Sequence, residues 1–186
     1  MEEPPESLED ALGSAVWRQD LDAVQRLLGA GANPNIPGTN GGWSPLRLAG
    51  EHDETGEIVR ALVAAGADVN LQDEHDGSTP LHQAVDMAID GTIQMNRAEI
   101  DWTTVGVYLE LGADLNIADH RGRTAADIAA AYGDNAERSF DEFLRTPEAQ
   151  AESAWLRLAL HCFCRSGLGL TLRCYRASQR IPQAKA

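Results

Sequence analysis

The chain predicts an all-α solenoid of about four helix-turn-helix repeats joined by β-hairpin-like loops. Two recurring markers carry this expectation. The pentapeptides Gly31-Ala32-Asn33-Pro34-Asn35, Gly66-Ala67-Asp68-Val69-Asn70 and Gly112-Ala113-Asp114-Leu115-Asn116 are spaced by 35 and 46 residues. The segments Ser44-Pro45-Leu46, Thr79-Pro80-Leu81 and Thr124-Ala125-Ala126 recur at 35 and 45. Two markers that move in step define a repeat far better than either alone.

Each marker has a mechanical reason. The three glycines follow apolar helical runs, where a left-handed residue closes a helix. The hydroxyl of Thr79 or Ser44 suits a helix N-cap, and Pro80 or Pro45 suits the first turn, where a missing N–H costs nothing. Ala49, Ala84 and Ala129 fall where neighbouring helices must approach closely. Val24, Leu27 and Leu28, like Ile58, Val59, Leu62 and Val63, share one helical face.

The elements follow in order. Residues 1–6 form an acidic extension. The first repeat, about residues 7–35, has no leading hairpin and caps the stack, with Val16 and Leu21 facing its neighbour. The second covers 36–70 and the third 71–116. The fourth, about 117–150, keeps the hairpin Asp119-His120-Arg121-Gly122 but replaces Pro-Leu-His by Ala125-Ala126-Asp127, as a terminal repeat meeting water would. The third carries an insertion over 86–101. Val85, Ala88 and Ile89 are expected to extend its first helix by a turn before Gly91, with Ile93, Met95 and Ile100 folding back onto the stack. Residues 151–186 are expected to hold an amphipathic helix over 154–163 and then a basic tail with little order beyond Gly167.

The hexapeptide Thr79-Pro80-Leu81-His82-Gln83-Ala84, with Gly66-Ala67-Asp68-Val69-Asn70 ahead of it, resembles the ankyrin repeat over about residues 7–150. The long third repeat looks like bacterial stand-alone ankyrin proteins with one lengthened repeat. The resemblance implies a binding face made of hairpin tips and the inner sides of the first helices. By position that face comprises Thr39, Asn40, Trp43, Glu51 and His52 in the second repeat. It continues with Glu74, His75, Asp76, Ser78, Asp86 and Met87 in the third, and His120, Arg121, Arg123, Ala131 and Tyr132 in the fourth. It also implies that His82 bonds to the backbone of an adjacent hairpin. Trp17 and Trp102 fall between helices and are expected in the core.

Charge narrows the partners. Residues 1–150 sum to −19 and residues 151–186 to +5. An acidic body repels phosphate backbones and anionic membranes and favours a basic protein. The expected partner is therefore a protein, with no nucleic acid and no membrane, bound by a monomer. The N-terminus lacks a signal-peptide pattern, and Arg157, His161 and Arg165 interrupt the most apolar late stretch. A cytoplasmic location is the expectation. Fourteen Arg against the single Lys185 suggest GC-rich coding and a bacterial source.

Chemistry finds little footing. Cys162, Cys164 and Cys174 have no zinc spacing, and His52, His75 and His120 read as solvated loop residues beside acids. There is no Gly-x-Ser-x-Gly elbow and no phosphate loop. The expectation is a non-enzymatic protein-interaction module without cofactors or metals. The alternative is an immunity protein that neutralises a cognate toxin, and a metal-dependent enzyme stands behind both.

Overall fold

The computed structural model describes residues 7–38, 43–52, 55–147, 149 and 150. Thr39, Asn40, the expected late helix and the basic tail lie outside the described residues. Among the described residues there are eight helices and no strand. They are α1 (Leu8–Trp17), α2 (Leu21–Gly29), α3 (Pro45–His52), α4 (Glu57–Ala64), α5 (Pro80–Gln94), α6 (Thr103–Glu110), α7 (Ala125–Ala131) and α8 (Asp134–Phe143).

Consecutive helices pair as α1/α2, α3/α4, α5/α6 and α7/α8. The first helices pack as a row α1–α3–α5–α7, and α2–α4–α6 pack behind them. Ala15, Ala49, Ala84 and Ala129 are all buried within the first row, where a small side chain lets helices close on one another. The second row buries Val24, Ile58, Val59, Leu62, Val105 and Val107. Each such aliphatic side chain stabilises the stack by about 1.5–3 kcal/mol.

The helix ends obey local chemistry. Ser7 caps α1 by accepting from the Asp10 amide, and Asp20 caps α2 by accepting from Ala23. Gly31, Gly66 and Gly112 hold φ of +98°, +97° and +98°. At that left-handed residue the chain turns back, and the amides of Ala32, Ala67 and Ala113 donate to carbonyls five residues earlier. Only glycine takes this conformation without strain.

A ladder of asparagines ties the repeats together. Asn35 donates to the Gly66 carbonyl at 2.9 Å and accepts from the Asp68 amide at 2.7 Å. Asn70 repeats this with Gly112 at 3.1 Å and Asp114 at 2.8 Å. Asn116 has no such forward neighbour among the described residues and donates to its own Asp114. The asparagine closing every pentapeptide was the signal for this ladder in the sequence.

Two expectations are corrected. Gly91 does not end the lengthened helix: α5 runs 15 residues to Gln94, against eight in α3. One glycine costs a helix only about 1 kcal/mol, and here the Thr92 hydroxyl donates to the Ala88 carbonyl at 2.8 Å as the helix continues. As a result Ile93 and Met95 point away from the stack, 60% and 61% exposed, while Ile100 packs against the core. Trp17 is the second correction. It ends α1 and is 57% exposed, whereas Trp102 is buried against Phe140 and Phe143 and donates to Ser139 at 3.1 Å.

Candidate protein-binding face

The face starts from the third residue after each helix cap. In the second repeat this residue is Arg47, in the third His82, in the fourth Asp127. His82 Nε2 lies 3.0 Å from the Arg123 carbonyl of the next hairpin, and Nδ1 lies 3.1 Å from the Thr79 amide. An amide can only donate and a carbonyl can only accept, so these partners select the neutral tautomer protonated at Nε2. Arg47 makes the same forward reach with charge. Its Nη1 is 3.0 Å from Asp73 Oδ2, and its Nη2 is 3.1 Å from Asp76 Oδ2. Asp127 turns back instead and closes a capping box onto Thr124 at 2.8 Å.

Arg47 also lies over the Trp43 ring, 4.5 Å from its centroid. The cation thus fixes Trp43 on one hairpin arm and the tip of the next hairpin together. The carboxyl of Asp76 sits below its ordinary range: burial pulls it up, but the Ser78 amide and the Arg47 guanidinium outweigh that. Sequence reasoning passed over Arg47, although its register with His82 marked it.

The hairpin tips join as well. The Asp73 amide bonds to the Ser78 carbonyl at 2.9 Å, and the Asp119 amide to the Arg123 carbonyl at 2.8 Å, so the third-repeat loop is one residue longer. The His120 amide donates to the Asp76 carbonyl at 2.8 Å. A side chain at Gly77 (φ +73°) would meet the His120 backbone nitrogen at 2.8 Å, so glycine there permits the contact. Asp119 is buried and accepts from the Arg121 and Arg123 amides and the Arg123 guanidinium. Burial alone would raise its carboxyl; these donors outweigh it and push it down to about 2.

The inner sides of the first helices follow from register. The residue two after each buried alanine is turned about 200° from it, which places Trp17, Glu51, Asp86 and Ala131 in one row facing away from the core. Tyr132 donates to Asp86 at 2.9 Å across two repeats. Burial, this hydrogen bond and the charges of Asp86 and Asp90 push its phenol up to about 12, so it stays a donor.

Of the expected contact residues, Glu74, His75, His120, Arg121 and Tyr132 are exposed, and Asp76 keeps 49% of its side chain exposed. Trp43, Glu51, Asp86, Met87 and Arg123 are half-buried. Ser78 is buried within its hairpin. Thr39, Asn40 and the side chain of His52 are not described. Among the described residues no group of three or more His, Cys, Asp or Glu is placed to hold a metal ion, and no helix is long and apolar enough to cross a membrane.

Paired helices in two rows, linked by forward-reaching polar residues, define a helical-repeat scaffold with an extended face. The model for ankyrin repeats, in three copies, matches residues 12–95, and that stretch of the chain is built of ankyrin repeats. Such repeats are generally protein–protein interaction modules. Comparison with curated proteins finds no match.

Proposed function

We propose that this chain is a non-enzymatic module that binds a protein partner through the inner helix face and hairpin tips, and that the partner presents a basic surface. The observation that carries this reading is the balance of charge on that face. Arg47 is held by Asp73 and Asp76, and Arg123 by Asp119, which leaves Arg121 as the exposed arginine among the named face residues. Against these stand the carboxylates of Glu51, Glu74, Asp86 and Asp90, within a chain of net charge −14. Such a field speeds encounter with a basic partner and disfavours acidic ones.

Capture from native lysate with the wild type and with a Trp43→Ala, Met87→Ala double variant tests the reading. The expected result is a basic protein, released by high salt and lost in the double variant. Equal capture by the variant would place the contact elsewhere. A toxin neutralised by this chain would be one such partner, and growth rescue on co-expression would identify it.

A further inference from the structure

Helix α5 outruns both neighbours in its row. It starts in register with α3 and α7, yet it runs 15 residues against eight and seven. Residues 88–94 therefore rise about 10 Å past either flank. This end is a built stop. Asn96 holds φ of +50°, its amide donates to the Ile93 carbonyl at 3.1 Å, and the Arg97 amide donates to the Thr92 carbonyl at 2.9 Å. Asparagine takes such a left-handed conformation more readily than most residues.

One stripe of this overhang continues the inner face. At about 100° per residue, Asp86, Asp90 and Ile93 lie within about 60° of one another, turned away from buried Ala84. The Tyr132 phenol donates to Asp86 at 2.9 Å and feels the charge of Asp90 as well, which joins the stripe to the fourth repeat. Gln94 donates to Asp90. Among the described residues neither carboxylate forms an ion pair. Arg97, the next cation along the chain, acts on Asp101. Ile93 is 60% exposed and stands outside the core. Met95 is 61% exposed but lies about 200° further round the helix.

Spacing and charge together select what covers this stripe. Along the helix axis Asp86 and Asp90 are about 6 Å apart, and Ile93 lies about 4.5 Å further on. Alternate side chains of an extended segment leave one side about 6.6 Å apart. We infer that the stripe Asp86–Asp90–Ile93 docks an extended segment of the partner, with two arginines on the carboxylates and an aliphatic side chain on Ile93. The long, flexible arginine stems take up the small mismatch in spacing. This rests on the reading of a basic protein partner and gives that partner a sequence pattern. Two carboxylates without a cation disfavour a second copy of this acidic chain in the same place.

Three fluorescein-labelled peptides test this with the full chain: Gly-Arg-Ser-Arg-Ser-Leu-Gly, the rearranged Gly-Leu-Arg-Arg-Ser-Ser-Gly, and the first with Glu for each Arg. Fluorescence polarisation, followed to about 1 mM protein, should show the first binding, the second weaker and the third absent. Ile93→Ala should weaken the first peptide by about fivefold. Asp90→Asn should weaken it by about threefold, an effect that fades in high salt. Met95→Ala should leave it unchanged. Alanine suits a helix at least as well as isoleucine or methionine, and Gln94 can still donate to an asparagine oxygen. Each variant is therefore expected to keep the wild-type melting temperature.

No loss in Ile93→Ala, or an equal loss in Met95→Ala, would overturn the stripe, and a loss in Asp90→Asn would then leave the basic-partner reading standing. Equal binding of the rearranged peptide would overturn the alternating pattern. Equal binding of the acidic peptide would overturn the basic partner as well. No binding of any peptide would overturn the docked segment, and the lysate capture would still decide the broader reading. Self-association lost in Ile93→Ala would assign the stripe to a second copy of this chain and overturn the proposal.

Discussion

The junction between the second and third repeats and the junction between the third and fourth are built on the same plan with different chemistry. At the first, Arg47 reaches forward as a cation to two carboxylates, one of them buried, and stacks on Trp43. At the second, His82 reaches forward as a neutral donor to a single carbonyl. The comparison teaches that the position matters to the stack and the residue type is adjustable. What is required is a side chain long enough to reach the next hairpin and a complementary group waiting there. The charged version has a further consequence, because the cation also holds an aromatic residue on the candidate face.

Removing the charge should separate the two junctions most clearly. Arg47→Met would leave Asp73, only 7% exposed, without its cation, and stripping one partner from a buried pair costs about 3–5 kcal/mol. His82→Ala loses neutral hydrogen bonds and some packing, at about 2–3 kcal/mol. Urea denaturation should therefore rank Arg47→Met below His82→Ala. The reverse order would show that Asp73 finds other donors.

Acid gives the next contrast. The Asp119 carboxyl lies near 2 in the folded chain against an ordinary value of 3.8. Its contribution to stability is therefore complete above about pH 4 and is lost as pH falls towards 2. The Asp76 carboxyl is depressed too, so its contribution weakens in the same direction. Thermal melts between pH 5 and 2 should show a shallower decline for Asp119→Asn than for the wild type. Parallel curves would remove Asp119 from the account.

The smallest effect distinguishes the interior of the ladder from its end. Asn70→Ala breaks two bonds to the next repeat and should cost about 1–2 kcal/mol. Among the described residues Asn116 bonds only within its own turn, and Asn116→Ala should cost under about 0.5 kcal/mol. Equal losses would mean that the ladder continues into the fourth repeat.

Much of this was legible before any coordinate. The glycine pentapeptides and the helix-opening triplets located the helix pairs because both are local backbone devices: a left-handed turn and an N-cap act within one turn of chain. The forward reach of His82 was expected from the resemblance. The same register would have exposed Arg47, and the repeated asparagine would have exposed the ladder. Both were missed because a polar residue is satisfied by something distant, and a single sequence does not say what lies across from it.

The sequence alone determined the repeat, its period and the capping logic, since these depend on residues a few positions apart. Tertiary structure decided the rest. It continued α5 through Gly91 to Gln94 and turned Ile93 outward. It left Trp17 exposed, because that position faces away from the row of buried alanines, where hydrophobicity does not compel burial. Burial depends on what the neighbouring repeats cover, and only the assembled stack sets that.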